Sequence, residues 1–167
     1  VGDRQGARAY GERLERMRGS PQWSAEGDIF TNELERIDGS WLEMTTKVFF
    51  GGSDYREPEQ IPKTAILNPG ALTELPASGL RVTWFGHSTM LIEIDGVRTL
   101  VDPIWSERAS PFTWAGPKRF YAPPLSLEGL PAIDAVVISH DHYAHLDSET
   151  VKELAARHVT WVMPLGV

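Results

Sequence analysis

The feature that most constrains this chain is a short apolar run that leads directly into a histidine cluster. The Ala-Val-Val-Ile run at residues 135–138 is typical of a strand that is buried on both faces. Three of the five histidines follow closely, at His140, His142 and His145. Open α/β sheets place their sites beyond the carboxyl ends of their strands. The pattern therefore predicts an α/β fold with a functional site at this strand end.

The spacing of the three histidines predicts a metal site. Residues two apart in an extended segment point to the same side, so His140 and His142 can bind one ion. His145 follows a turn and should face a neighbouring point that suits a second ion. The chain has no cysteine, so imidazole and carboxylate ligands would bind zinc, iron or manganese. The alternative, histidines of a surface loop or helix cap, fits a single histidine better than three at this spacing.

The flanking sequence predicts a hairpin followed by a strand, a helix and a strand. We expect strands at residues 82–85, 89–94 and 97–101, the last two joined by a tight turn at Asp95-Gly96. A long loop rich in proline and aromatic residues spans 103–133. Asp147 or Ser148 can cap a helix, and a last strand spans 159–163.

Residues 1–79 are expected to form a helical and irregular extension ahead of a domain at 80–167. The apolar spacing predicts helices at 5–18 and at about 41–50. Residues 22–40 are polar and broken, and residues 51–79, rich in proline and glycine, indicate a surface wrap that contributes little to a core.

Charge and hydropathy limit the classes of partner. The net charge of −7 argues against a nucleic-acid-binding surface and against a polybasic membrane anchor, so we expect no nucleic-acid partner. No apolar run reaches the roughly 20 residues that cross a bilayer. Lack of cysteine suits both the cytoplasm and the periplasm, so the compartment is not fixed, and membrane association stays open.

Several short segments in a fixed order carry a family resemblance. They are Gly-His-Ser-Thr at 86–89, Val-Asp-Pro at 101–103, Ser-Pro-Phe at 110–112, Gly-Pro-Lys-Arg-Phe at 116–120 and Ser-His-Asp-His-Tyr at 139–143. From about Leu80 to its end the chain resembles the metallo-β-lactamase family, in the branch of N-acyl-phosphatidylethanolamine phospholipase D and the RomA-like and UlaG-like hydrolases. The resemblance implies half of a four-layer αββα sandwich with a mixed sheet. It also implies a zinc-dependent hydrolase of phosphodiester or related ester bonds in a small-molecule or lipid-like substrate.

The resemblance also assigns the ligands. It implies that His140 and His142 bind a first zinc and His145 a second, with attack by a metal-bridging water. In the family an aspartate stands where this chain has Ala144, whose methyl group offers no lone pair. The remaining ligands come from the second half of such proteins, and this chain ends at Val167, before them. We therefore expect the chain alone to be inactive or impaired, because losing ligands costs more than the 10–100-fold loss caused by removing their outer partners.

Other residues are candidates for supporting roles. Asp102 can accept the free N–H of a ligand histidine, or simply end its strand with a turn. His87 can lie near the metal pocket, or hydrogen-bond its own turn. Lys118 and Arg119 can bind a phosphate, or form a solvated basic pair. Tyr143 is a further candidate for substrate contact.

Three further questions are open in the sequence. The loop aromatics can form an apolar wall for acyl chains, although packing of the loop onto the sheet is favoured; they are Trp105, Phe112, Trp114, Phe120 and Tyr121. His158 is expected at the end of the last helix, where it complements the helix dipole. Asp141 and Asp147 are weak substitutes for the missing aspartate, since Asp141 points away and Asp147 serves better as a cap.

Two other functions compete with the ester hydrolase. One is a non-catalytic fragment that acts as a binding or assembly partner, and the other is a lactonase-type or β-lactamase-like enzyme of the same fold. The Asp-to-Ala difference at Ala144 is compatible with engineering or with natural decay. A half-sandwich exposes an apolar sheet face, so we expect the second half on another chain, or pairing of two copies.

Overall fold

The structure is a computed structural model that describes residues 9–34, 40, 42, 58–110, 112–114 and 116–167. Its described residues fall into two compact units, one of residues 63–165 with Val167 and one of residues 9–62 with Gly166. This division lies between Pro62 and Lys63, and the domain boundary expected at residue 80 stays a prediction. Most of the helix expected at 41–50, and the first four residues of the one expected at 5–18, lie outside the described residues.

The smaller unit contains a helix and a two-stranded hairpin. Helix α1 spans Gly11–Arg18, and strands β1 and β2 span Trp23–Ser24 and Ile29–Phe30. Tyr10 has an extended backbone, so the helix begins later than residue 5. Residues 22–40 were expected to lack regular secondary structure, and the hairpin formed by β1 and β2 shows that this expectation is wrong for residues 23–30. The rings of Trp23 and Phe30 meet edge to face, with centroids 5.1 Å apart, and this aromatic contact stabilises the short pairing.

The larger unit is built on one five-stranded mixed sheet, which confirms the predicted fold class. Its elements are β3 (Leu80–Gly86), β4 (Thr89–Ile94), β5 (Val97–Val101), β6 (Ala135–Val137), helix α2 (Ser148–Ala155) and β7 (Thr160–Val162). The strand order is β3-β4-β5-β6-β7. The first three strands pair antiparallel, and β5, β6 and β7 pair parallel. The strands, the long loop and the last helix therefore follow the order expected from the sequence.

The tight turn between β4 and β5 shows how local sequence sets the register. Asp95 and Gly96 have φ angles of 49° and 84°, and Ile94 pairs directly with Val97. A two-residue hairpin loop needs left-handed backbone at both positions, which aspartate tolerates and glycine adopts freely.

The two faces of the sheet differ in what covers them. The covered face and the segments packed on it form the core, whose most deeply buried side chains are Phe85, Leu91, Leu100, Val136, Ile138 and Leu154. The opposite face is also apolar, yet several of its side chains are about half exposed: Leu80, Val82, Trp84, Ile94, Val97 and Val162. Side chains two apart on a strand point the same way, so the strand register places these six residues on one surface. We call this surface the open sheet face.

A fully buried carboxylate links the sheet to the chain before it. Glu93 forms ion pairs with Arg81 and Arg98, and both guanidinium groups also donate to backbone carbonyls of residues 72–74. Burial alone would raise the pKa of the Glu93 carboxyl, but the hydrogen bonds from the two arginines outweigh burial and hold that pKa below its usual range. Leu72 in this segment is buried in the core. The expectation that residues 51–79 lie only on the surface is therefore wrong for this stretch.

Candidate functional site

The candidate site lies at one edge of the sheet, where β3, β5 and β6 end. These three strands run in the same direction, so the segments that follow them meet at the same edge. His87 after β3 and Asp102 after β5 have φ angles of 49° and 42°, in the left-handed region. Such backbone is uncommon for residues other than glycine, and here it turns each chain sharply as its strand ends.

Four histidine rings gather at this edge. The ring centroid of His140 lies 4.6 Å from that of His142 and 3.9 Å from that of His145. The ring of His87 lies 5.4 Å from that of His145. The structure thus brings the three predicted ligands together, with His87 beside them. The ring of His145 is closer to that of His140 than the ring of His142 is, and binding of a second ion by His145 stays a prediction.

A single tight turn returns His145 to the cluster. The backbone N–H groups of His145 and Leu146 both donate to the carbonyl of His142, each at 2.8 Å. Within this turn the carbonyl of Ala144 accepts a hydrogen bond from Ser88 Oγ at 3.1 Å. The Ala144 side chain is a methyl group and supplies no ligand.

Asp102 connects the histidines to the sheet. Its Oδ2 lies 2.8 Å from His145 Nδ1 and accepts from Ser139 Oγ at 2.8 Å, while its Oδ1 accepts from Ser139 N at 2.7 Å. Ser139 Oγ is also 2.9 Å from His140 Nδ1. Burial would raise the pKa of the Asp102 carboxyl, but its hydrogen bonds with His145 and Ser139 lower it overall. The contact between Asp102 and a histidine N–H is thus present, and its role in metal binding stays a prediction.

The chemical types of these groups suit a divalent metal ion, because imidazole nitrogens bind zinc and a nearby carboxylate commonly orients such a ligand by accepting its other ring N–H. The rings of His140 and His145, 3.9 Å apart, are closer together than those of a ligand pair. Two imidazoles on one tetrahedral zinc, with Zn–N of about 2.0–2.1 Å, have centroids about 5 Å apart. Accordingly, over the residues that the structure describes, no group of three or more histidine, aspartate or glutamate side chains is spaced to hold an ion. The rings are packed as neighbouring imidazoles.

A groove of about 420 Å³ lies beside the cluster, between the start of the long loop and the start of α2. Its apolar walls include Phe112, Leu146 and Val151, and Tyr143 lines it next to the histidines in sequence. Arg108 and Lys152 lie at its lining together with the carboxylates of Glu107, Asp147 and Glu149. Of the predicted substrate contacts, Tyr143 is therefore on the groove.

The other two predicted substrate contacts are not part of this lining. Lys118 Nζ forms an ion pair with Glu107 at 2.6 Å. Arg119 Nη2 donates to the Ile104 carbonyl at 3.0 Å, and its Nη1 is buried without a hydrogen-bond partner. Burial lowers the pKa of the Arg119 guanidinium. As placed, Arg119 faces the protein interior, and binding of phosphate by either residue stays a prediction.

Asp147 anchors the long loop to helix α2. Its Oδ2 accepts from Trp105 N at 3.1 Å, Ser106 N at 2.9 Å and Thr150 Oγ1 at 2.6 Å. Its Oδ1 accepts from Ser106 Oγ at 2.8 Å and, as the helix cap, from Glu149 N at 3.2 Å. The predicted cap is confirmed. The hydrogen bonds to the loop carry no local sequence signal, because their partners lie about 40 residues away.

The aromatic residues of the loop divide into two groups. Trp105 packs against Phe85 with centroids 5.3 Å apart, and Tyr121 packs against Trp84 at 6.3 Å. The other three are exposed, with exposed fractions of 40%, 77% and 45% for Phe112, Trp114 and Phe120. The favoured expectation of packing is wrong for these three. Backbone contacts instead hold this part of the loop, including a bridge between Arg108 and Lys118.

The sequence predicted His158 at the end of the last helix. Helix α2 ends at Ala155, so the exposed His158 lies beyond its last turn and not within it. None of the helices formed by the described residues is long and apolar enough to span a membrane.

Comparison with known proteins gives the family. Residues 81–164 match the family described as beta-lactamase superfamily domain. Over 92 residues, 54% of this chain, the sequence is 58% identical to an uncharacterised protein of Mycobacterium tuberculosis, of which it covers 25%. Over the same length it is 48% identical to N-acyl-phosphatidylethanolamine-hydrolyzing phospholipase D 1 of Caenorhabditis elegans, of which it covers 26%. A metal-dependent hydrolase of Pyrobaculum aerophilum is 31% identical over 67 residues, 40% of this chain and 25% of that protein.

The chain matches about a quarter of the length of these relatives. The family match covers half of the chain and includes β4 to β7, all of β3 except Leu80, the histidine cluster and Asp102. The mixed sheet and the order of its elements agree with one part of the sandwich expected from the sequence. The chain therefore belongs to the beta-lactamase superfamily, as a protein with the metallo-β-lactamase fold.

Proposed function

We propose that this chain supplies the histidine part of a zinc site in a hydrolase of phosphodiester or related ester bonds. The observation that carries the proposal is the packing of His140, His142 and His145 at one strand edge, with His145 held by Asp102. Relatives named as a phospholipase D and as a metal-dependent hydrolase support the reaction class.

The residues of this chain would divide the work between binding and positioning. His140, His142 and His145 would hold zinc, which when bound supplies a Lewis acid and an activated water. Asp102 fixes the ring of His145. The groove lined by Tyr143 would take one arm of the substrate, because its apolar walls suit an acyl or other apolar group.

We further propose that this chain by itself is inactive or strongly impaired. Ala144 leaves the turn between His142 and His145 without a carboxylate that would balance the charge of a second ion. In the family that the chain resembles, further ligands come from a later part of the protein, so full activity would need that part as well.

The first experiment measures zinc binding by the purified chain. Titration calorimetry or competition with a chromophoric chelator should show binding that weakens at least tenfold in His140→Ala and in His145→Ala. His158→Ala is the matched control, because His158 is exposed and outside the cluster. Equal zinc affinity in all three variants and the unchanged chain would contradict the metal site.

The second experiment tests the chemistry. Ala144→Asp should raise the zinc stoichiometry and the rate at which bis(p-nitrophenyl) phosphate is hydrolysed. Lactones and nitrocefin measured in parallel distinguish a lactonase-type or β-lactamase-like enzyme. Restored zinc with no hydrolysis of any of these substrates would contradict the proposed reaction.

A second candidate function is a non-catalytic binding or assembly module. Ala144 favours it, since the alanine removes a ligand position, and so does the close spacing of the rings. A folded chain that binds no zinc, with or without Ala144→Asp, would support this candidate over the hydrolase.

A further inference from the structure

The serine that precedes the histidine cluster connects Asp102 to a second histidine. Ser139 Oγ lies 2.8 Å from Asp102 Oδ2 and 2.9 Å from His140 Nδ1. Asp102 Oδ2 also lies 2.8 Å from His145 Nδ1. One carboxylate oxygen therefore contacts His145 directly and His140 through a hydroxyl group. We call these four residues the Asp-Ser-His relay.

We propose that Ser139 is a positioning residue that, together with Asp102, fixes the proton of both His140 and His145 on Nδ1. Both rings then present the lone pair of Nε2. The proposal deepens the proposed function, on which it rests for the claim that these Nε2 atoms face a metal ion.

The position of each proton follows from which atoms can donate. An ionised carboxylate only accepts hydrogen bonds, so both contacts to Asp102 Oδ2 need a proton on the other atom. His145 must therefore carry its proton on Nδ1, and Ser139 must direct its hydroxyl proton to Asp102. A hydroxyl has one proton, so the short contact of Ser139 Oγ with His140 Nδ1, at 2.9 Å, needs a proton from that ring. The longer contact of Ser139 Oγ with His145 Nδ1, at 3.4 Å, shares the proton that His145 already directs to Asp102.

The reverse arrangement is unfavourable. If Ser139 donated to His140, its oxygen would lie 2.8 Å from an oxygen of Asp102 with no proton between them. Two acceptors at that distance repel, and a buried carboxylate would lose a charge-assisted hydrogen bond, which is about twice as strong as a neutral one. Ser139 N also donates to Asp102 Oδ1 at 2.7 Å, which holds the serine in place.

The ring of His142 is outside the relay. From the residues described, the structure shows no hydrogen bond to it, so its proton is not fixed in this way. The relay therefore distinguishes His142 from His140 and His145, which makes it testable within a single protein.

The test measures tautomers directly in the metal-free chain. Long-range ¹H–¹⁵N NMR spectra of ¹⁵N-histidine protein, well above the ordinary histidine pKa of about 6.5, separate protonated from unprotonated ring nitrogens. We expect His140 and His145 to carry the proton on Nδ1. Ser139→Ala should return His140 to a mixture that includes the Nε2-protonated form and leave His145 unchanged. Ser139→Thr keeps the hydroxyl and should restore the unchanged spectrum.

Several outcomes would overturn the relay. One is a His140 protonated on Nε2 in the unchanged chain, a result that needs no variant and so does not depend on whether Ser139→Ala folds. Another is a His140 tautomer that stays the same in folded Ser139→Ala. Asp102→Asn should change the tautomers of both His140 and His145. If neither tautomer changes in this variant, the proposal is contradicted as well.

Zinc affinity provides the second measurement. Ser139→Ala should weaken zinc binding about 10–100-fold, the usual effect of removing a partner of a ligand, and Ser139→Thr should restore it. The two proposals fail in different ways. If the tautomers are as expected but the unchanged chain binds no zinc, the relay holds and the zinc hydrolase is wrong.

Discussion

Replacing Asp147 with asparagine tests whether this carboxylate anchors the fold or serves as a substitute ligand. In the best orientation the amide oxygen keeps the three donors that now bond to Oδ2, and the amide nitrogen replaces Oδ1. The capping bond from Glu149 N is then lost, at a cost of about 1 kcal/mol. The Ser106 hydroxyl, which now donates to Oδ1, must turn to accept from the amide nitrogen. Each of the three remaining bonds weakens by about 1 kcal/mol when its acceptor loses charge. We expect Asp147→Asn to lower the free energy of unfolding by about 3 kcal/mol, since bonds to one group are not fully additive.

The assay is urea unfolding of the metal-free chain, followed by circular dichroism and tryptophan fluorescence with linear extrapolation. Asp141→Asn is the matched control, because Asp141 is an exposed aspartate in the same segment. Its free energy of unfolding should change by no more than about 0.5 kcal/mol. A loss below about 1 kcal/mol in Asp147→Asn would refute the anchoring role.

The pH dependence of the stability of the unchanged chain and of Asp147→Asn tests the role of the Asp147 charge independently. Burial would raise the pKa of the Asp147 carboxyl, but hydrogen bonds from Thr150 and Ser106 outweigh burial and lower it. A carboxyl whose pKa is lowered by folding stabilises the fold at pH values above its pKa in the unfolded state, about 3.9. This contribution to stability is lost as the pH falls through the pKa of the folded state. The difference in free energy of unfolding between the unchanged chain and Asp147→Asn should therefore be largest near neutral pH and should become smaller below about pH 3.9. A difference in free energy of unfolding that stays constant down to that pH and below would contradict a stabilising role for the ionised Asp147 carboxylate.

Three further predictions use the same unfolding assay. Glu93→Gln should lower the free energy of unfolding by about 3 kcal/mol, since Glu93 is fully buried and its loss of charge leaves two partly buried guanidinium groups without their counter-charge. The exposed Glu149→Gln should cost at most about 1 kcal/mol, and similar losses in the two variants would contradict the argument from burial. Gly86→Ala should cost about 1–3 kcal/mol, because its φ angle is 106° and a Cβ would lie 3.3 Å from the Tyr121 ring; a neutral result would show that the turn tolerates a side chain. Zinc at a hundredfold excess over its Kd should raise the free energy of unfolding by about 2.7 kcal/mol, and His145→Ala, with zinc affinity at least tenfold weaker, should reduce the increase to about 1.4 kcal/mol or less. An increase that stays at its full size in the variant would place the zinc elsewhere.

The elements that the sequence predicted well are those whose signals are local. The Asp95-Gly96 turn, the alternating strands beside it and the cap at Asp147 each depend on neighbouring residues, and the structure shows all of them within a few positions. The hairpin at Trp23 and Phe30 was missed because two-residue strands carry almost no periodic pattern. Its pairing depends on one aromatic contact that sequence spacing does not reveal.

The candidate site was only partly predictable for the same reason. The histidine spacing alone indicated a cluster, and a tight turn does bring His145 back to His140. The contribution of Ser139 depends on Asp102, 37 residues earlier, and it becomes visible only when β5 and β6 pair. The direction of Arg119 was likewise hidden, since its burial depends on how the long loop folds over the sheet.

The open sheet face affects how the folded chain would behave in a common laboratory test. Fluorescent dyes such as ANS bind accessible apolar surface, and dye binding with retained secondary structure is normally taken as the sign of a molten globule. This chain offers such surface while its interior is tightly ordered, with Phe85, Leu91 and Leu100 fully buried on the other side of the same sheet. We therefore expect native protein to give a strong dye signal together with an intact near-ultraviolet circular dichroism spectrum, so the dye alone would mislabel a properly folded preparation.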